Sequence, residues 1–167
     1  MSIAPTEHWL YVCIAEQRLL LMRDGQIISE FVCSTSKNAP SCIADSLGTP
    51  TGLHAIAAKI GDDAPAGAVF KGRVCVAQHY SQLSREEQSA NLITTRILRL
   101  KGLEPDHNAR PGDNAWDRLV YLHGTNHPQK LGHPFSAGCV LLDDASIIEL
   151  YDTLTVNDLV WIRERLL

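Results

Sequence analysis

Two short apolar runs, each bordering a glycine and a reactive side chain, constrain this chain more than any other feature. Leu119-Val120-Tyr121-Leu122 leads into His123-Gly124, and Gly138-Cys139 leads into Val140-Leu141-Leu142, with the cysteine sixteen positions after the histidine. Each run reads as a strand. Asn126, Pro128, Gly132 and Pro134 lie between them and are residues that punctuate loops. Tyr121 to Leu142 therefore predicts two strand ends that a sheet can bring together, one carrying an imidazole and the other a thiol. An unperturbed cysteine has a pKa of about 8.5, so only a few per cent is thiolate at neutral pH. A histidine that accepts the thiol proton leaves an ion pair and raises that fraction. On this logic Cys139 is the nucleophile and His123 its base. The imidazole also needs an acceptor on its other nitrogen, and no Asp or Asn is placed for this by sequence alone.

The rest of the chain reads as mostly β with one or two helices. His8 to Ala15, Gln17 to Met22 and Ile27 to Ser34 are strand candidates, the second and third joined by the hairpin signal Asp24-Gly25. A polar loop, Thr35 to Ser46, carries Cys42 without an evident role, and Gly48-Thr49-Pro50-Thr51-Gly52 opens a strand from Leu53 to Lys59. Gly61 to Gly72 reads as a mobile loop and Val74 to Gln78 as a short strand. Leu83 to Ala90 has helical composition with a capping box from Ser84 to Glu87. Asn91 to Leu100 reads as a strand, and Glu104 to Trp116 as an irregular stretch able to wall a cleft. Asp143 to Leu154 has a helical apolar period, with Asp144 as its expected N-cap, and Leu159 to Ile162 is a last strand. No repeat or domain-length linker interrupts residues 1–167, which are expected to form a single domain.

With a net charge of -4 the chain has no general attraction for nucleic acid or for an anionic membrane. The stretch from Ile3 to Met22 is broken by His8, Glu16, Gln17 and Arg18, so no export signal or membrane span is read there. Five cysteines without a CxxC pair fit free thiols. The expectation is a cytoplasmic protein.

The HGTN motif at His123–Asn126, followed by S-x-G-C at Ser136–Cys139, resembles the L,D-transpeptidase catalytic (YkuD-type) domain family. The TPTG turn after paired N-terminal strands extends the resemblance over most of the chain. The family has His where this chain has Ala137, and Arg where it has Leu141. The resemblance implies a β-sandwich or barrel and a two-step acyl transfer needing no cofactor. Cys139 would attack the third residue of a peptidoglycan tetrapeptide, release the terminal D-Ala and form a thioester. The Gly124 carbonyl would orient His123. An amine acceptor then gives a cross-link, and water gives trimming. Cytoplasmic proteins resembling this family are L,D-carboxypeptidases of muropeptide recycling, so that activity is expected, with L,D-transpeptidation or D-amino-acid exchange as the alternative. A non-catalytic domain that binds wall fragments is a further alternative.

Other residues carry plainer expectations. Gly138 lets backbone N–H groups converge on an oxyanion. Ser136, which also shapes the turn, joins Arg96 and His133 as the candidate substrate-binding residues. Arg96 stands first among Arg73, Arg96, Arg99 and Arg118 for a substrate carboxylate. Cys13, Cys33 and Cys75 are expected to be buried as small hydrophobes, Cys42 to be incidental, and Trp116 and Tyr121 to pack. His123, His127, His133 and Cys139 have zinc-ligand types in the spacing H-x3-H-x5-H-x5-C, but exposed loop histidines are the favoured reading, and no metal is expected.

Overall fold

Alternation of side chains along a few central strands decides where the core sits and where the reactive groups emerge. The computed structural model describes residues 6–165. The expectations touching 1–5 and 166–167 fall outside the described residues. Strands β1 (His8–Cys13), β2 (Arg18–Arg23) and β3 (Gln26–Val32) form an antiparallel meander. Asp24 and Gly25 turn β2 into β3 with φ of 49° and 75°, the left-handed pair that an Asp-Gly hairpin needs. β4 (Gly52–Ile60), β5 (Val69–Lys71), β6 (Val74–Ala77) and β7 (Ile93–Gly102) continue the chain, with helix α1 (Arg85–Ser89) before β7. β8 (Tyr121–Gly124) and β9 (Val140–Leu142) precede helix α2 (Asp144–Thr153) and the last strand, β10 (Leu159–Arg163).

The ten-stranded sheet runs β3-β2-β1-β10-β4-β7-β5-β6, with β8 on β7 and β9 on β8. β10 inserts between β1 and β4, parallel to the first and antiparallel to the second. β8 and β9 pair in parallel, His123 opposite Leu141. Parallel neighbours need a crossover, and here it is the loop of residues 125–139.

One face of β7, β8 and β9 supplies Leu98, Leu100, Leu122, Val140 and Leu142 to the main core, where Ile147, Leu150, Tyr151 and Leu154 from α2 and its end meet them. The other face carries Ile97 and Tyr121, which pack with Ala68, Phe70 and Cys139 in a smaller cluster. The period of two sends successive residues to opposite faces, so one short strand serves both.

Three local expectations are corrected. The stretch Gly61 to Gly72 is not all loop: Val69 and Phe70 are buried and form β5 against the start of β7. Asp143, not Asp144, caps α2, its carboxylate accepting from the Ser146 N–H at 2.9 Å. Asp144 instead accepts from the Thr95 hydroxyl. Cys75 is exposed on β6, whereas Cys13 and Cys33 are buried. The Ser84–Glu87 capping box forms in both directions, although α1 is only one turn long.

Candidate active site

The His-Gly dipeptide has a steric cause. β7 bulges between Thr94 and Ile97, and Thr95 stands at φ 70°, which a β-branched residue adopts only when its surroundings hold it there. The Thr95 hydroxyl accepts from the Gly67 N–H at 2.9 Å, and its own N–H donates to Ala68 O at 2.8 Å. The bulge presses on β8: a Cβ at Gly124 would lie 2.7 Å from Thr94 Oγ1 and 2.8 Å from Thr94 O. Residue 124 must therefore be glycine for His123 to sit where it does. The His123 ring is buried, with Nδ1 2.7 Å from Gly124 O. Nδ1 donates to that carbonyl, so the neutral ring has Nε2 unprotonated and able to take a proton. Burial pushes its pKa down to about 4, so the imidazole is neutral at pH 7.

Cys139 lies one residue before β9 and is half-buried. Its sulfur accepts from the Tyr121 N–H at 3.4 Å and lies 3.6 Å from Leu119 O, the acceptor for its proton. No hydrogen bond joins it to His123 among the described residues. Burial pushes the thiol up to about 11, against the opposing pull of the Tyr121 N–H and the Arg118 charge. Desolvation thus disfavours the charged form of each partner, and the sulfur's hydrogen bonds go to Tyr121 and Leu119.

The turn ahead of the thiol is built by Ser136 and Gly138. Ser136 Oγ donates to Cys139 O at 2.6 Å and accepts from the Gly138 N–H at 3.2 Å. Gly138 has φ 123°, a conformation open to glycine. The Gly138 N–H is taken by Ser136, whereas the Cys139 N–H has no acceptor among the described residues.

Cys139 borders a cleft of about 290 Å³ walled by Ala44, Asp45, Leu47, Asp117, Arg118 and Ala137. Arg118 is the residue that sequence reasoning left undistinguished. Its guanidinium donates to Ser41 O (2.9 Å), Ser46 Oγ (3.2 Å) and Gly48 O (2.7 Å), pinning the polar 41–48 loop beside the thiol. Nothing in its immediate sequence signals this, since the three acceptors lie 70 to 77 positions earlier.

Arg96 is placed elsewhere. It is buried, donates to Ala64 O (2.6 Å) and Thr95 O (2.7 Å), and lies 5.5 Å from the Tyr151 ring centre. Those contacts make it a strut of the bulge, and the cleft wall does not include it. His133 is exposed on the loop, and His127 turns its Nε2 to Ala90 O at 3.0 Å. The zinc-type quartet does not converge, and among the described residues no three metal-type side chains gather. Trp116 is 38% exposed with Arg99 over its ring rather than packed away, whereas Tyr121 is buried. Leu141 is buried and its backbone bridges Ser34.

Solved structures of L,D-transpeptidases share the fold, three of them as follows. An L,D-transpeptidase from Mycobacterium smegmatis is 18% identical with a TM-score of 0.57, covering 94% of this chain and 58% of its own. An L,D-transpeptidase solved in complex with imipenem is 17% identical with a TM-score of 0.59, covering 94% and 59%. L,D-transpeptidase 3 from Mycobacterium tuberculosis, carrying a faropenem-derived adduct, is 12% identical with a TM-score of 0.58, covering 95% and 60%. This chain thus spans about three-fifths of the length of the structures it matches. No match was found among curated proteins. The family model of the L,D-transpeptidase catalytic domain (YkuD) matches residues 7–162, and with that span the chain belongs to the L,D-transpeptidase catalytic domain family.

Proposed function

We propose that this protein is a cysteine L,D-carboxypeptidase that removes the terminal D-Ala from peptidoglycan tetrapeptides in the cytoplasm, as a step of muropeptide recycling. The observation that carries the choice of water over an amine is the cleft at Cys139. At about 290 Å³ it is at the small end of ligand sites, with room beside the thiol for one peptide end. The polar 41–48 loop, pinned by Arg118, limits its width. Five free thiols support a reducing compartment.

The steps use the chain's own groups. As Cys139 Sγ attacks the carbonyl of the third residue, its proton passes to His123 Nε2. The oxyanion takes the Cys139 N–H. The imidazolium, held by Gly124 O, returns the proton to the leaving nitrogen of D-Ala, and the thioester remains. Water then attacks, His123 accepts its proton, and the tripeptide leaves with a new carboxylate while the sulfur regains the proton. Cross-link formation would differ only in the second nucleophile. Family membership favours that second reading, and the cleft volume favours hydrolysis.

Incubation with a disaccharide-tetrapeptide and mass analysis of the products tests the assignment. Tripeptide with free D-Ala is expected, and dimers or exchanged D-amino acids would replace hydrolysis by transfer. Cys139→Ala should abolish D-Ala release by about 10³-fold or more with the fold intact, and unchanged release in that variant would end the mechanism.

A further inference from the structure

Near the nucleophile, two arginines flank Tyr121, neither in an ion pair among the described residues. Arg99 lies directly opposite Tyr121 across the β7–β8 ladder, so the two side chains share a face. Arg73, in the β5–β6 turn, donates Nη1 to the Tyr121 hydroxyl at 3.1 Å. Arg99 sits 3.3 Å from the centre of the Trp116 ring and donates Nη2 to Trp116 O at 2.8 Å. Neither arginine forms an ion pair among the described residues. Arg99 Nε is buried without a hydrogen-bond partner. Asp117, whose charge reaches Arg99, has Oδ2 engaged by the Gly112 N–H at 3.2 Å. Burial pulls the Arg99 pKa below its ordinary value, Arg73 adding to the pull and Tyr121 and Asp117 opposing it.

Holding two cations in this way is unfavourable unless an anion relieves it. The acceptor side of the Tyr121 hydroxyl is taken by Arg73, so its own proton is left to donate. The Tyr121 N–H holds Cys139 Sγ, so the cluster lies one tyrosine side chain away from the reacting atom. Guanidinium donors match the planar oxygens of a carboxylate.

We propose that Arg73, Arg99 and the Tyr121 hydroxyl form an anion subsite that takes a carboxylate of the peptide substrate and sets its register over Cys139. This rests on the peptide-hydrolase reading above for the identity of the substrate, but not for the existence of the subsite. Arg73 and Arg99 would then be specificity determinants, acting on binding through donors that the cleft of Asp45, Asp117 and Arg118 does not supply.

The test uses the full chain as Cys139→Ser, so that peptide is not consumed. Calorimetry compares a tetrapeptide having free carboxylates with versions amidated at one carboxylate at a time. One amidation is expected to weaken binding by about tenfold or more, the value of a hydrogen bond to a charged group. In Arg73→Gln and in Arg99→Gln that same amidation should cost nothing, because the group it removes has lost its partners. Arg99→Lys, which retains charge, should keep part of the discrimination and guards against a folding defect. Equal weakening of free and amidated peptides in these variants would mean a structural role and overturn the subsite. If no tetrapeptide binds, inorganic phosphate is titrated while the Nε–H resonance of Arg99 is followed by NMR. A saturable shift lost in Arg73→Gln keeps the subsite and removes the peptide as its ligand. No shift removes the subsite.

Discussion

The two faces of β7, β8 and β9 use the same backbone for opposite ends. On one, Leu98, Leu100, Leu122, Val140 and Leu142 meet α2 and bury apolar surface almost completely. On the other, Ile97 and Tyr121 are sealed against Cys139, while Arg99 runs out to Trp116. Adjacent residues in one strand therefore do unlike work, Leu122 filling the core and His123 presenting a base. Burial is common to both faces. On the first it stabilises the fold, by about 25 cal/mol per Å² of apolar surface. On the second it shifts titration, pushing His123 down to about 4 and Cys139 up to about 11. The difference teaches that the reactive face is held at some cost by the stability of the apolar face.

The largest expected effect on the comparison comes from Leu122→Ala. This side chain is fully buried, and its truncation should cost about 2 to 5 kcal/mol in urea unfolding. Cys139→Ala, on the other face, should change stability by about 1 kcal/mol or less, since a small half-buried group leaves little cavity. Similar losses from both would erase the distinction.

Acid should act chiefly through the buried histidines. His123 and His54 are each held at about 4, below the ordinary 6.5. The unfolded chain then binds protons that the folded chain refuses, so stability is complete above about pH 6.5 and declines as pH falls towards 4. Each histidine accounts for about 3 kcal/mol of that decline. His123→Gln should remove roughly half of it, as followed by denaturation at pH 7 and pH 4.5. At alkaline pH, alkylation of Cys139 by iodoacetamide should keep rising beyond pH 9. A plateau near pH 7 would reveal a thiolate already formed.

Gly124→Ala tests the bulge. The added methyl would meet Thr94 O at 2.8 Å, and the overpacking should cost about 1 to 3 kcal/mol. Turnover should fall further than stability does, because His123 is anchored to the carbonyl of that residue. A small effect is expected of Asp143→Ala at the N-cap of α2, about 1 kcal/mol in thermal or urea unfolding, with little change in substrate affinity.

Much of this fold is legible in local residues. Asp24-Gly25 marks its hairpin, Ser84 and Glu87 their capping box, and the apolar period of 147, 148, 150, 151 and 154 its helix, because each signal acts over a few positions. The misread elements are those settled by distant partners. Val69 and Phe70 become β5 because β7 is there to pair with them. Asp144 leaves the capping role for Thr95, 49 positions away. Among four comparable arginines, the pattern alone could not separate a strut, Arg96, from a cleft wall, Arg118, or from the two that flank Tyr121, Arg73 and Arg99. Their roles depend on which carbonyls and rings the fold brings within 3 or 4 Å.

The reactive pair shows the same division. By itself the sequence determined that a His-Gly and a Gly-Cys stand at the ends of two apolar runs, and so which groups have the chemistry for acyl transfer. Tertiary structure decided their state. The parallel pairing of β8 with β9 places the two on neighbouring strands, and the β7 bulge makes Gly124 obligatory. Burial then disfavours the charged form of thiol and imidazole alike. Intrinsic reactivity is a property of the side chain, whereas charge state depends on the solvent and neighbours that only the folded chain supplies.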